Sequence, residues 1–158
     1  MDDASRLRGA RHNGFNLVAG AGHAAAWTSN RANAVVALPA GVHGLSNALL
    51  DAPWPKVLRT EAAVSAWLVA GVDDPEPLFA ALADRSLASD DELPSTGVPL
   101  DWERRLSAAF IVSEGYGTRS STVVTVDRDG CVTLVERSFD AAGDVRGEVA
   151  FRFDAAPA

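Results

Sequence analysis

The chain has little to cross-link or anchor it with: 158 residues carry one cysteine, one methionine and one tyrosine. With Cys131 alone, no internal disulfide can form, and nothing demands an oxidising compartment. Thirteen of the 14 basic residues are arginine and Lys56 is the only lysine, a bias that reads as the codon usage of a GC-rich bacterium. No basic stripe breaks a formal net charge of −7, so nucleic acid is not an expected partner. The acidic clusters Asp73-Asp74 and Asp90-Asp91-Glu92 speak for solubility. No apolar run reaches the ~20 residues of a membrane helix. The start, Met1-Asp-Asp-Ala-Ser-Arg6, is polar and lacks a signal-peptide pattern, so the expected location is the cytoplasm. His12, His23 and His43 lack metal-ligand spacing, and no metal is expected. Gly20-Ala-Gly22 lacks the further glycine and the lysine of a phosphate loop.

What is present is apolar material for a core, 47% of the chain. The length suits one domain over 1–158, with no internal repeat or linker. Residues 3–9 read as a short helix. Strands are expected at 15–19, 24–29 and 34–38, short apolar runs separated by turn residues and together a β-meander. A helix follows from Pro55 to about Ala70, with Val57, Glu61, Val64 and Leu68 on one side and Gly71 as the stop. A second starts at Asp74-Pro75 and carries Leu78, Phe79 and Leu82 inward. A loop is expected over 86–99, then a short helix over 101–108 with Trp102 and Leu106 inward. Strands are expected at 110–112, 121–126, 132–139 and 145–153, with Asp129-Gly130 as a two-residue hairpin signal. Strands, helices, then strands make an α+β protein with mainly antiparallel sheet.

Two segments do not read as generic loop. Gly44-Leu-Ser-Asn-Ala-Leu-Leu-Asp-Ala-Pro-Trp-Pro-Lys56 sets a polar Ser46-Asn47 pair beside an apolar run and a rigid Pro-Trp-Pro. Tyr116-Gly-Thr-Arg-Ser-Ser-Thr122 places Arg119 among hydroxyl residues before a strand. With His12-Asn-Gly-Phe-Asn-Leu17, Trp27-Thr-Ser-Asn-Arg31, Glu92-Leu-Pro-Ser-Thr-Gly97 and Trp102-Glu103, they form an ordered series along nearly the whole chain. The series resembles the Transport and Golgi organisation family, also called the NRDE family. The family's Met-Cys start and Asn-Arg-Asp-Glu motif are absent, so the chain is expected to correspond to the back part of such a protein.

The resemblance implies a branch of the N-terminal nucleophile hydrolase fold, an αββα sandwich, here incomplete. It also implies a tie to haem mobilisation and to lipid or acyl-coenzyme A metabolism. Distantly similar choloylglycine hydrolases cleave amides with an N-terminal cysteine, an asparagine at the oxyanion and a late arginine. Asn47 and Arg119 match the last two. Position 2 here is Asp2, so the chain as written is expected not to be a competent hydrolase. The expected activity is handling of a small anionic or amphipathic ligand, with haem as a ligand by resemblance only. The alternative is an amidohydrolase of the N-terminal nucleophile type whose cysteine-bearing front part is missing from this chain and is restored by an upstream start, with Asn47 and Arg119 catalytic only if that front part is present.

Each candidate has a bland reading beside the sharp one. Asn47 either donates to an oxyanion or holds the turn into the Pro53–Pro55 segment. Arg119 either binds a carboxylate or phosphate through its planar fork, with Ser120, Ser121 and Thr122 as added donors, or forms a surface ion pair. Tyr116 either lines that site or packs. Ser46 accompanies Asn47. Lys56 and Arg31 can bind an anion, but as lone cations at a helix start and a turn they read first as solvated. Asn13, Asn16 and Asn30 sit at strand ends and turns, where asparagine is a structural choice; Asn16 and Asn30 are retained as ligand candidates. Cys131 lacks a nearby histidine base and reads as a small strand residue. His43 as a haem axial ligand has no haem motif behind it.

Overall fold

The computed structural model describes residues 13–22 and 24–154. The chain divides into two compact units, one ending at Ala52 and one beginning at Pro53. The helix expected over 3–9 lies outside the described residues.

The first unit is an antiparallel meander of β1 (Asn16–Ala21), β2 (Ala24–Ser29) and β3 (Ala32–Leu38), in that order across the sheet. Val18, Trp27, Thr28, Val35 and Val36 suit a pleated surface, and Gly22 at φ 57° supplies the left-handed residue of the first turn. Asn30 and Arg31 alone make the second turn, tighter than the sequence suggests, because a bulge at Thr28/Ser29 takes up the slack. Trp27 and Ser29 on the central strand are the buried residues, at 4% exposure each.

The second unit starts with α1 (Pro55–Ala70), which has the expected bounds. Pro55 presets the first-turn φ, and Gly71 at φ 62° ends the helix by donating its N–H to Trp67 O. α2 (Glu76–Leu82) is capped as expected, Asp74 Oδ1 accepting from Glu76 N at 3.0 Å. The 86–99 segment contains a 3-10 turn, Asp90–Glu92, closed by a capping box in which Ser89 N and Oγ both donate to Glu92. α3 (Leu100–Leu106) is shorter than expected and turned differently. Trp102 is 37% exposed and packs edge-on against Tyr116, whereas Glu103 is buried. Burial of this carboxylate is compensated locally: Glu103 Oε1 accepts from Thr96 N at 2.7 Å and Thr96 Oγ1 at 2.6 Å. Lys56 Nζ donates to Leu106 O at 2.9 Å, placing a cation at the C-terminal end of α3.

The strand expected at 110–112 is a two-residue pair instead, β4 (Val112–Ser113) with β5 (Tyr116–Gly117). Phe110 is buried edge-on against Phe139 at 4.7 Å. The last sheet is antiparallel in the order β6 (Ser120–Val126), β7 (Cys131–Phe139), β8 (Val145–Asp154). The β6–β7 connection is four residues, 127–130, not two: Asp127 Oδ1 accepts from Asp129 N and Cys131 N, and Gly130 takes φ 83°. One face carries Val123 and Ser121, both buried, in register with Val135 and Arg137. The Arg137 guanidinium stacks 4.0 Å over the Phe79 ring of α2 and binds Glu76 and Glu148. The other face carries Val124, Val126, Phe151 and Phe153, each more than half exposed. The class is α+β with antiparallel sheet, as expected, and the described residues form three such sheets and three α-helices.

Two predictions concern the second unit. Glu103→Ala leaves two Thr96 donors without their acceptor and costs about 2 kcal/mol in urea unfolding. Asp84 accepts from Ser86 N at 2.9 Å and Arg59 Nε at 2.8 Å. Its carboxyl is held below the ordinary value of 3.8, chiefly by the Ser86 side chain and then by Ser86 N–H and Arg59. A depressed folded-state value means stability that is present above 3.8 and lost as pH falls through the lower, folded value. Asp84→Asn lowers stability near neutrality and flattens that acid loss, as read from denaturant midpoints against pH.

Candidate functional site

The first unit holds a cleft of about 540 Å³, walled by Gly14, Phe15 and Asn16, by Arg31, and by Leu45, Ser46 and Asn47. Three segments meet there because Asn16 ties them together. Its Nδ2 donates to Ala48 O at 2.8 Å and Ser46 O at 3.3 Å, and its Oδ1 accepts from Trp27 Nε1 at 3.2 Å. Asn30 acts alongside, Oδ1 accepting from Phe15 N at 2.8 Å and Nδ2 donating to Asn13 O at 3.1 Å. The buried Ser29 hydroxyl donates to Phe15 O at 2.7 Å and accepts from Arg31 N at 3.1 Å. The amides of Asn16 and Asn30 therefore shape the wall.

The turn that carries Asn47 is held by Asp51. Asp51 N donates to Gly44 O at 2.8 Å, Asp51 Oδ1 accepts from Gly44 N at 2.9 Å, and Asp51 sits at φ 55°. Asp51 Oδ2 lies 3.0 Å from His43 Nδ1, and this bond is the largest cause holding the Asp51 carboxyl below its ordinary value. His43 Nε2 lies 3.1 Å from Pro39 O, so both ring nitrogens are engaged. With the turn secured by Asp51, the exposed carboxamide of Asn47 and the half-buried hydroxyl of Ser46 make no hydrogen bond among the described residues. Both border the cleft.

The other candidates belong to the second unit. Arg119 is exposed at the entrance to β6; its carbonyl accepts from Phe139 N at 2.9 Å, and its guanidinium has no partner among the described residues. Its hydroxyl neighbours are not one donor cluster. Thr122 Oγ1 donates to Glu136 Oε2 at 2.7 Å, Thr118 Oγ1 accepts from Ile111 N at 2.9 Å, Ser121 is buried and Ser120 is exposed. Tyr116 packs against Trp102, with centroids 5.6 Å apart. Lys56 points to the end of α3, and burial pushes its ammonium below the ordinary lysine value. A second cleft of about 340 Å³ is lined in part by Trp67, Thr133, Cys131 and Arg152, and Arg152 Nε donates to Cys131 Sγ at 3.0 Å. Among the described residues, no group of three or more His, Cys, Asp or Glu is placed to hold a metal, and no helix is long and apolar enough to cross a membrane.

Sequence reasoning underweighted three residues of this site. Asp51 is a turn holder whose signal, an acid seven residues from the Gly44 it bonds, crosses an apolar run. Ser29 looks like any strand-end hydroxyl. Arg31 is the third: it reads from sequence as a solvated turn residue, and it forms part of the cleft wall.

The motif order finds its match in known proteins. The family model described as Transport and Golgi organisation 2 matches residues 2–141. The chain belongs to the Transport and Golgi organisation 2 family. Curated relatives include the Transport and Golgi organization protein 2 homolog of Bos taurus, 32% identical over 167 residues, covering 94% of this chain and 60% of that protein. The Homo sapiens homolog is 31% identical over 150 residues, covering 84% of this chain and 53% of the relative. The Mus musculus homolog is 29% identical over 157 residues, covering 87% and 57%. This Transport and Golgi organisation 2 chain thus spans between half and three fifths of the length of the curated relatives it matches.

Asn16→Ala removes two donors from loop carbonyls and one acceptor from Trp27, at a cost of about 2 kcal/mol. Amide hydrogen exchange over 44–51 accelerates in this variant, while exchange in α1 stays at the native rate.

Proposed function

We propose that this chain handles a small anionic, amphipathic ligand of the haem or acyl-coenzyme A class in the cleft bounded by Asn47. The observation that carries this reading is the uncommitted Asn47 carboxamide at the edge of a cleft of ligand size, on a turn that Asp51 already holds. Such clefts, of about 300–1,000 Å³, take small molecules by an apolar lining and a few placed polar groups. Phe15 and Leu45 supply the former, Ser46 and Asn47 the latter. The engagement of both His43 nitrogens favours recognition of the ligand's polar groups over iron ligation.

A second reading is C–N bond hydrolysis, with the thiol nucleophile contributed by residues other than these 158. The same free carboxamide favours it, because an oxyanion needs a donor not already bound elsewhere. One such donor is worth about 3 kcal/mol in the transition state.

Calorimetric titration of haem and of an acyl-coenzyme A separates these outcomes. Saturable binding that weakens about fivefold in Asn47→Ala, near 1 kcal/mol, supports ligand handling. If neither compound binds, ligand handling fails. Turnover of an acyl amide, assayed with the thiol-bearing residues present, that falls about a hundredfold in Asn47→Ala would support the hydrolase reading instead.

A further inference from the structure

Arg31 lies against the Gly14 backbone more closely than any side chain at 14 would permit. A β-carbon there would overlap Arg31 Nε and stand 2.5 Å from its Cζ and Nη2. Gly14 does not occupy the left-handed region, so a side chain there would displace the end of Arg31 without straining the backbone. The Arg31 backbone is fixed by the buried Ser29 hydroxyl, which also holds the Phe15 carbonyl beside Gly14. Among the described residues the guanidinium has no carboxylate partner, and of the cleft's lining residues Arg31 alone is charged.

We infer that Arg31, seated by Gly14, is the anion-recognition residue of this cleft, and that the group it takes is the carboxylate of an amphipathic monocarboxylic acid. The inference rests on the reading that the cleft takes a small anionic, amphipathic ligand, and it assigns that ligand as a free acid in place of haem or an acyl-coenzyme A. One planar guanidinium matches one carboxylate through two parallel hydrogen bonds. A phosphate dianion would call for a second cation, and the lining has none. Asn47 is available to donate to a carboxylate oxygen, and Phe15 and Leu45 offer apolar contact to the body of the acid.

The test uses the whole chain with side-chain isotope labels on arginine and asparagine. Octanoate, neutral octanol and octyl phosphate are titrated separately, following Arg31 Nε–H and Asn47 Nδ2 signals and the dissociation constant. The expected result is that octanoate shifts both signals and binds more tightly than octyl phosphate. Arg31→Met then weakens octanoate by about tenfold or more without affecting octanol. Gly14→Ala does the same by displacing the guanidinium, with far-UV circular dichroism unchanged. Three results each overturn the inference: octanoate affinity unchanged in Arg31→Met, affinity unchanged in Gly14→Ala, or tighter binding of octyl phosphate. A shift at Asn47 with a silent Arg31 also sinks it while leaving ligand handling intact. Silence of both signals toward all three probes, haem and acyl-coenzyme A removes the ligand-handling reading and this inference together.

Discussion

The side-chain amide of Asn16 connects the cleft's walls. A carboxamide offers two donors and an acceptor, and here the donors reach the carbonyls of Ser46 and Ala48 while the acceptor receives the indole N–H of buried Trp27. The central strand β2, the edge strand β1 and the irregular 44–51 segment are thereby joined without a helix or a further strand. Loops that lack ladder hydrogen bonds need such partners for their backbone. The turn below it is closed by Asp51, so two polar side chains do the work that an extra secondary-structure element would do elsewhere. Asn47 and Ser46, which line the cleft, are left with their own side-chain polar groups uncommitted among the described residues.

Much of the fold could be read in the sequence because its punctuation is chemical. Pro55 and Gly71 bracket a helical period and gave α1 its bounds, and Asp74 capped α2 as its side chain allows. The strands followed from short apolar runs between turn residues. Where the reading failed, long-range contacts overrode local pattern. Trp102 was expected inward on aromatic grounds, but Thr96 provides two donors that draw Glu103 in instead. Asp129-Gly130 looked like a two-residue turn until Asp127 gathered two backbone N–H groups and lengthened it to four.

The site was legible in part. The Ser46-Asn47 dipeptide stood out, and it does border a cleft. Asn16 joins it there, with an amide bonded to the loop that carries the pair. The role of Gly14 was invisible, since a residue with no side chain gives no pattern, and its neighbour Arg31 is 17 positions away. Lys56, taken as an anion candidate, is directed at the carbonyl end of a helix that no local feature connects to it. The hydroxyls around Arg119 looked like a donor cluster in one dimension; in space the alternation of β6 divides them, Ser121 to the buried face and Thr122 to Glu136.

The outer face of the last sheet bears on how the protein will behave in the hand. Val124, Val126, Phe151 and Phe153 form an exposed apolar surface on a hydrogen-bonded sheet. Dyes that fluoresce on apolar surfaces are commonly taken to report loosened tertiary packing. On this molecule they have a well-ordered place to adhere before any packing is lost. A bright signal at the start of a melt would then be a property of the native state, and unfolding is better followed by a signal that needs no dye, such as far-UV circular dichroism.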